Sequence, residues 1–157
     1  GEEDPDMINA GGVPVTILPG GAYFDSATSF GIIRGASLDY TVLGVLEVDQ
    51  EGNLANYKIP GKLVPGMGGA MDLVTGAKTV IAATQHFDRE GQSKLKRRCT
   101  LPLTAAGEVD IVVTDLGLFE VSENHFVLRE CFAPYRVEDI VLNTDADILV
   151  PQDYRKW

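Results

Sequence analysis

The stretch Ile59-Pro-Gly-Lys-Leu-Val-Pro-Gly-Met-Gly-Gly-Ala-Met-Asp72 carries four glycines and two prolines into a segment with helical character. Glycines let a backbone come close to a ligand, and the N–H groups of a first helical turn lack intrahelical acceptors, so a negative oxygen is well served at such a junction. A phosphate or an oxyanion fits there. A tight structural turn has the same composition, and the residue types alone leave both readings open. The spacing matches neither Gly-x-Gly-x-x-Gly nor a P-loop Gly-Lys-Ser/Thr.

Other reactive residues are sparse. His86 and His125 are far apart, and neither has a cysteine or a second histidine at metal-ligand spacing, so no metal site is expected and both read as surface or packing residues. Cys99 and Cys131 lack Cys-x-x-Cys spacing and read as reduced thiols of a cytoplasmic protein. No Gly-x-Ser-x-Gly elbow appears. The basic run Lys94, Lys96, Arg97 and Arg98 reads as a solvated strand or loop edge, with a phosphate contact as the alternative.

The elements that must position these residues follow from local pattern. Val13 to Leu18 alternates as a short strand and stops at Pro19-Gly20-Gly21. Asp25 or Ser26 caps a helix over Ala27 to Arg34, which Gly35 ends in a left-handed conformation. Leu38 to Val48 has the texture of a strand buried on both faces. Residues 49–53 form a turn, Asn56 to Gly69 a long shaped loop, Gly68 to Val74 starts a helix ended by Gly76, and Thr79 to Thr84 is a second buried strand. The order implies a parallel sheet with crossover helices. Val109–Thr114, Leu118–Val121 and Phe126–Glu130 then form a mixed or antiparallel extension, with a turn at Ser122-Glu123-Asn124-His125 and a terminal helix over Val137 to Asn143. The expected fold is one α/β domain spanning residues 1–157.

Composition bounds the partners. With 13 basic against 23 acidic residues the chain carries a net charge of −10, which disfavours nucleic acid and anionic membranes as partners. An anionic ligand is still admissible where local donors face it. The opening Gly-Glu-Glu-Asp-Pro-Asp resembles no secretory signal, and no apolar run reaches the roughly 18 residues of a membrane span, so a soluble protein is expected.

Asp-Met-Ile-Asn-Ala-Gly-Gly (6–12), Leu-Pro-Gly-Gly-Ala-Tyr-Phe-Asp-Ser-Ala (18–27), Phe-Gly-Ile-Ile-Arg-Gly (30–35), Asn53-Leu-Ala-Asn56, the block Ile59 to Gly76 and Arg98-Cys-Thr-Leu-Pro-Leu-Thr-Ala105 follow one another in an ordered set. Together they resemble the B subunit of family I CoA-transferases of the acetoacetate and short-chain-acid type, over about residues 1 to 150. The resemblance implies a sheet of the CoA-transferase and ribose-5-phosphate-isomerase kind. It also implies a ping-pong enzyme that works through an acyl-glutamyl anhydride and a glutamyl-CoA thioester, with backbone donors stabilising each oxyanion. The family's Gly-Gly-Ala turn falls on Gly69 and Ala70, and CoA or substrate contacts fall on Asn56, Lys62, Gly66, Met67 and Gly68. CoA and acyl-CoA are implied as substrates, with no permanently bound cofactor, and an A subunit as partner, in an A2B2 assembly.

The family's nucleophile lies in a Ser-Glu-Asn-Gly segment that has no counterpart here, so the resemblance implies a chain lacking an N-terminal segment, with the reacting glutamate upstream of residue 1. Ser122-Glu123-Asn124 looks similar but is followed by His125 and lies between two C-terminal strands, which makes Glu123 a decoy. Glu2 and Glu3 read as solvated loop acids. Ala36-Ser37 replaces a frequent Gly-His and Tyr57 a frequent tryptophan, changes suited to retuning an acyl pocket. Ile-Pro-Gly-Lys is similar to acetoacetate and butyrate enzymes and unlike the 3-oxoadipate branch. A catalytically inactive CoA-ester-binding or scaffold module is the alternative function. A sugar-isomerase relative would leave the Pro-Gly-Met-Gly-Gly block without a purpose.

Overall fold

The computed structural model describes residues 3–9, 12–59, 61, 66 and 68–156. The chain divides into two compact units, residues 1–30 and 31–157. In the first, β1 (Asp4–Ile8) pairs antiparallel with β2 (Pro14–Val15), Asp4 opposite Val15 and Ile8 opposite Pro14. Asn9 closes the hairpin: its Oδ1 accepts the Val13 N–H at 3.1 Å and its own N–H donates to the Val13 carbonyl at 3.0 Å. The strand expected over Val13 to Leu18 shrinks to two residues, because among the described residues β1 pairs with nothing beyond Val15.

Asp25 opens α1 (Ser26–Arg34), its Oδ1 accepting the Thr28 N–H at 2.8 Å, so Asp25 is the cap and Ser26 the first helical residue. That bond holds the exposed Asp25 carboxyl below the usual carboxylate range. At the other end Gly35 still donates to the Gly31 carbonyl at 3.0 Å, and the chain reverses one residue later. The left-handed residue is therefore Ala36, at φ 54°, and not Gly35 as its type suggests.

In the second unit β3 (Leu38–Gly44) is followed by β4 (Glu47–Asp49), β5 (Leu54–Ala55), α2 (Ala70–Gly76), β6 (Ala77–Ala83), β7 (Leu95–Lys96), β8 (Ile111–Val113), β9 (Gly117–Ser122), β10 (His125–Cys131), α3 (Val137–Asn143), β11 (Ile148–Leu149) and β12 (Arg155–Lys156). The described strands of the main sheet run in the order β11-β10-β9-β8-β6-β3, with β12 also on β10. β3, β6 and β8 are mutually parallel, β8-β9-β10 are antiparallel, and β11 and β12 add parallel to β10. The fold is thus mixed α/β with a mostly parallel sheet and an antiparallel C-terminal part, as expected. The connections are less helical than expected: α2 lies between β3 and β6, whereas the link from β6 to β8 carries β7 and no helix.

The apolar run Leu38 to Val48 serves two sheets. Val45 N–H still bonds the Ala83 carbonyl at 3.2 Å, but Leu46 N–H turns to the Ala55 carbonyl at 2.8 Å, and the chain enters a small sheet ordered β5-β4-β7. The core lies on one face of the main sheet, where Val80, Val112, Phe119, Phe126 and Leu128 are buried, with Ile140 of α3 also in the core. Phe119 and Phe126 meet edge-on with ring centroids 6.4 Å apart, a favoured arrangement for two quadrupoles.

Candidate functional site

The glycine-rich segment ends at a junction whose geometry follows from its composition. Gly66 and Gly68 have φ of 91° and 54°, and open space lies where a side chain would stand. Only glycine takes such angles cheaply. Gly69 then returns to φ −86° and ψ 9°, and α2 begins at Ala70. Leu73 N–H closes on the Gly69 carbonyl at 3.0 Å, while no side chain caps the preceding donors. The N–H groups of the first turn have no intrahelical acceptor, so the junction holds donors that an oxyanion accepts.

Charge at this junction is balanced locally. Asp72, in the first turn of α2, is engaged by Arg34 Nε at 2.6 Å. The bond to Asp72 raises the Arg34 guanidinium further above its ordinary value. An acid that would repel an incoming anion is thereby paired. The C-terminal end of α2 is pinned by contact: a Cβ on Gly76 would lie 2.3 Å from the Ile33 carbonyl oxygen, so glycine alone permits this approach of α2 to Ile33.

Asn56, just beyond β5, is held by a buried partner. Its backbone N–H donates to Thr104 Oγ1 at 3.2 Å, and the Thr104 hydroxyl donates to Asn56 Oδ1 at 2.7 Å. Both oxygens being so used, the carboxamide nitrogen is the group left to meet a ligand; among the described residues it has no acceptor. Thr104 is placed by a knot around Asp49. This fully buried carboxylate accepts the Glu51 and Asn53 N–H groups, each at 3.1 Å, the Asn53 carboxamide at 3.0 Å and the Cys99 N–H at 2.8 Å. Asn53 Oδ1 in turn accepts the Gly107 N–H at 3.0 Å, which fastens 99–107 to the β4–β5 turn. Burial, with the Asp49 and Glu47 carboxylates adding to it, pushes the Cys99 thiol up, so this sulfur is no nucleophile.

The structure gathers Gly66, Gly68, Gly69 and Ala70 at one junction and sets Asn56 in a separate clamp; Lys62 and Met67 lie outside the described residues. Glu123 sits in the β9–β10 turn with Asn124, at φ 50° and 61°, and its carbonyl accepts the His125 Nδ1–H at 2.8 Å. That is a hairpin turn. His86 is fully buried, its Nδ1 3.2 Å from Thr114 Oγ1 and its Nε2 2.8 Å from Thr144 Oγ1. Burial lowers its pKa to about 4, so the ring is a neutral packing residue. Lys94 and Lys96 depart from the solvated edge expected of them: Leu95 between them is fully buried, and both lysines are partly buried. Sequence reasoning missed Thr104, which stands 48 residues from Asn56 and carries no local signal.

The chain matches the coenzyme A transferase family over residues 1–143. It is 52% identical over 151 residues to the beta chain of an acetate CoA-transferase of Haemophilus influenzae, covering 96% of this chain and 68% of that protein. It is 47% identical over 150 residues to the B subunit of a succinyl-CoA:3-ketoacid coenzyme A transferase of Helicobacter pylori, covering 96% and 72%. The acyl-CoA transferase of Escherichia coli O157:H7, solved as a thioester complex with CoA, superposes with a TM-score of 0.74 at 23% identity, over 87% of this chain and 31% of that one. That last likeness concerns the fold; this chain spans under a third of that protein. Among the described residues, no helix is long and apolar enough to cross a membrane.

Proposed function

The chain belongs to the coenzyme A transferase family, and from that premise we propose that it is the B subunit of an enzyme moving CoA between an acyl-CoA and a short 3-oxo or fatty acid. The observation that carries this reading is the 52% identity over 96% of the chain to a protein named as the beta subunit of an acetate CoA-transferase. The 157 residues act as one domain of a cytoplasmic hetero-oligomer with an A subunit, in an A2B2 arrangement. CoA and acyl-CoA are substrates, and no cofactor stays bound.

The chemistry needs a carboxylate nucleophile, which we place on a glutamate upstream of residue 1. Its oxygen attacks the thioester carbonyl of the acyl-CoA, the CoA thiolate leaves, and an acyl-glutamyl anhydride forms. The thiolate then attacks the glutamyl carbonyl, releasing the first acid as carboxylate and leaving a glutamyl-CoA thioester. A second acid repeats the two steps in reverse and departs as its CoA ester. Each addition puts negative charge on a carbonyl oxygen, and the N–H groups of Gly69 and Ala70 are the donors proposed for it. Gly66 and Gly68 leave room for CoA to approach, and Met67 and Lys62 of the same segment are proposed as contacts to CoA or substrate. Asn56 offers its carboxamide N–H to the substrate. The open positions at Gly66 and Gly68 and the uncapped start of α2 support these roles.

The test is borohydride trapping or peptide mass spectrometry of the complete A–B complex after incubation with acetoacetyl-CoA. A thioester on a glutamate outside residues 1–157 is the expected result. Modification of Glu123, or no covalent CoA at all in a complex that binds acyl-CoA, overturns it.

A further inference from the structure

The first unit, residues 1–30, is ordered through its backbone. Asn9 closes the hairpin of β1 and β2 by accepting the Val13 N–H, Gly21 N–H returns to the Leu18 carbonyl at 2.9 Å, and Asp25 caps α1. Yet none of the described residues of this unit is buried. Its large apolar side chains are exposed: Ile8 and Val13 beside the hairpin closure, Ile17 and Leu18 where the chain turns, Tyr23 and Phe24 just ahead of the helix cap. Leu18 is 83% exposed and Phe24 59%.

Fixing a backbone costs conformational entropy that buried apolar surface normally offsets, and a two-stranded hairpin is marginal in water on its own. A unit of this size without a core of its own keeps one conformation when another surface covers it. Closely spaced exposed apolar side chains mark such surfaces, and aromatic rings are enriched where proteins meet. Charge adds a second feature. The unit holds Glu2, Glu3, Asp4, Asp6 and Asp25, and no Lys or Arg precedes Arg34. Half of the chain's net charge of −10 therefore falls on these thirty residues. The surface that fits them is apolar at its centre, with lysines or arginines at its edge.

We propose that residues 8–24 dock the A subunit, which covers the apolar side chains with an apolar patch and meets the surrounding acids with a basic rim. The inference rests on the transferase reading, which supplies that partner, and adds where on this chain the partner sits. The exposed apolar positions run from Ile8 through the turn at Leu18 to Phe24, beyond both strands. One strand added to the edge of β1 would leave the turn and the two aromatic rings uncovered, whereas a folded subunit presents a surface broad enough for all of them.

The test compares the full-length B subunit alone with the A–B complex, by hydrogen exchange and by analytical ultracentrifugation. Amides of residues 6–24 should exchange at least about tenfold more slowly in the complex, a comparison that needs no variant to fold. Leu18→Glu is expected to weaken association by roughly tenfold or more, with the melting temperature of the B subunit unchanged and CoA transfer recovered when A is supplied in excess. Leu142→Glu, at a position on α3 that is 81% exposed, is the control and should assemble normally. Association should slow severalfold between about 50 and 500 mM salt. Exchange that is equally slow in the B subunit alone overturns the proposal, because the subunit's own remaining residues then cover the unit. Self-association of B that Leu18→Glu abolishes also overturns it, since the occupant is then a second copy. Normal assembly of Leu18→Glu, or association indifferent to salt, overturns it as well. Leu18-dependent assembly in a complex that transfers no CoA sinks the transferase reading and leaves the interface standing.

Discussion

Thr104 and Asn56 hold each other by two hydrogen bonds, the threonine hydroxyl accepting the Asn56 N–H at 3.2 Å and donating to its Oδ1 at 2.7 Å. The pairing fixes which end of the carboxamide faces outward. Thr104→Val keeps the shape and removes both bonds, so Asn56 is free to flip. The expected result is a several-fold higher KM for the acyl-CoA and a stability loss of about 1–2 kcal/mol, with Thr104→Ser restoring the KM. Steady-state kinetics and urea denaturation of the three proteins check it, and an unaltered KM in Thr104→Val refutes the positioning role.

Gly69 allows a cleaner test of the junction than its neighbours. At φ −86° its backbone is open to any L-residue, whereas Gly66 and Gly68 sit in the left-handed region, where a side chain brings strain of its own. Gly69→Leu should fold with little change in melting temperature and lose about a hundredfold in turnover, the effect of disturbing one oxyanion donor. Turnover within a fewfold of the original removes Gly69 from the site.

Glu123→Gln should leave CoA transfer within about twofold of the original, because the residue is an exposed turn position and touches no proposed donor. Glu123→Gly should raise stability by a few tenths of a kcal/mol or more by relieving φ 50°. Loss of transfer in Glu123→Gln contradicts the decoy reading.

What the sequence made legible was local. α3 occupies Val137–Asn143 as expected, and the start of α2 and the strands β9 and β10 fall within a residue or two of their patterns. Their signals are caps, periodicity and turn residues a few positions apart. The small sheet was hidden because β5 and β7 are two residues each and exist only through partners: Val48 meets Leu54 on one side and Leu95 on the other. Lys94 looked solvated because burial of Leu95 by distant strands, and not its own neighbours, draws the lysines into a cleft. The glycine block stood out as a candidate anion site because its residues are contiguous, whereas the Thr104–Asn56 clamp and the Asp49 knot join segments about fifty residues apart and left no pattern to find.

Gly76 and Gly117 are predicted to be intolerant of even one methyl group. A Cβ would lie 2.3 Å from the Ile33 carbonyl oxygen in the first case and 2.4 Å from the Glu130 carbonyl oxygen in the second. Backbone cannot yield as a flexible side chain does, so Gly76→Ala and Gly117→Ala should each cost about 1–3 kcal/mol or more in urea denaturation. Gly44→Ala is the control, since no atom lies within reach of a Cβ there and the residue is outside the left-handed region.

His86 gives the fold a defined acid sensitivity. Buried between Thr114 and Thr144 and against Phe87, its ring is held neutral with a pKa of about 4, the Asp115 carboxylate opposing the shift only in part. An unfolded histidine titrates near 6.5, so between these values the unfolded chain binds a proton that the native chain refuses. Stability from this group is complete above about pH 6.5, falls as pH drops toward 4, and changes no further below. A difference of about 2.5 pKa units corresponds to about 3 kcal/mol across that window. Urea midpoints measured from pH 7.5 to 4.5 should decline accordingly, and His86→Gln, less stable at pH 7 through its lost packing, should show a shallower decline. Parallel pH curves for the two proteins would mean that other groups, such as the paired surface carboxylates, set the acid limit instead.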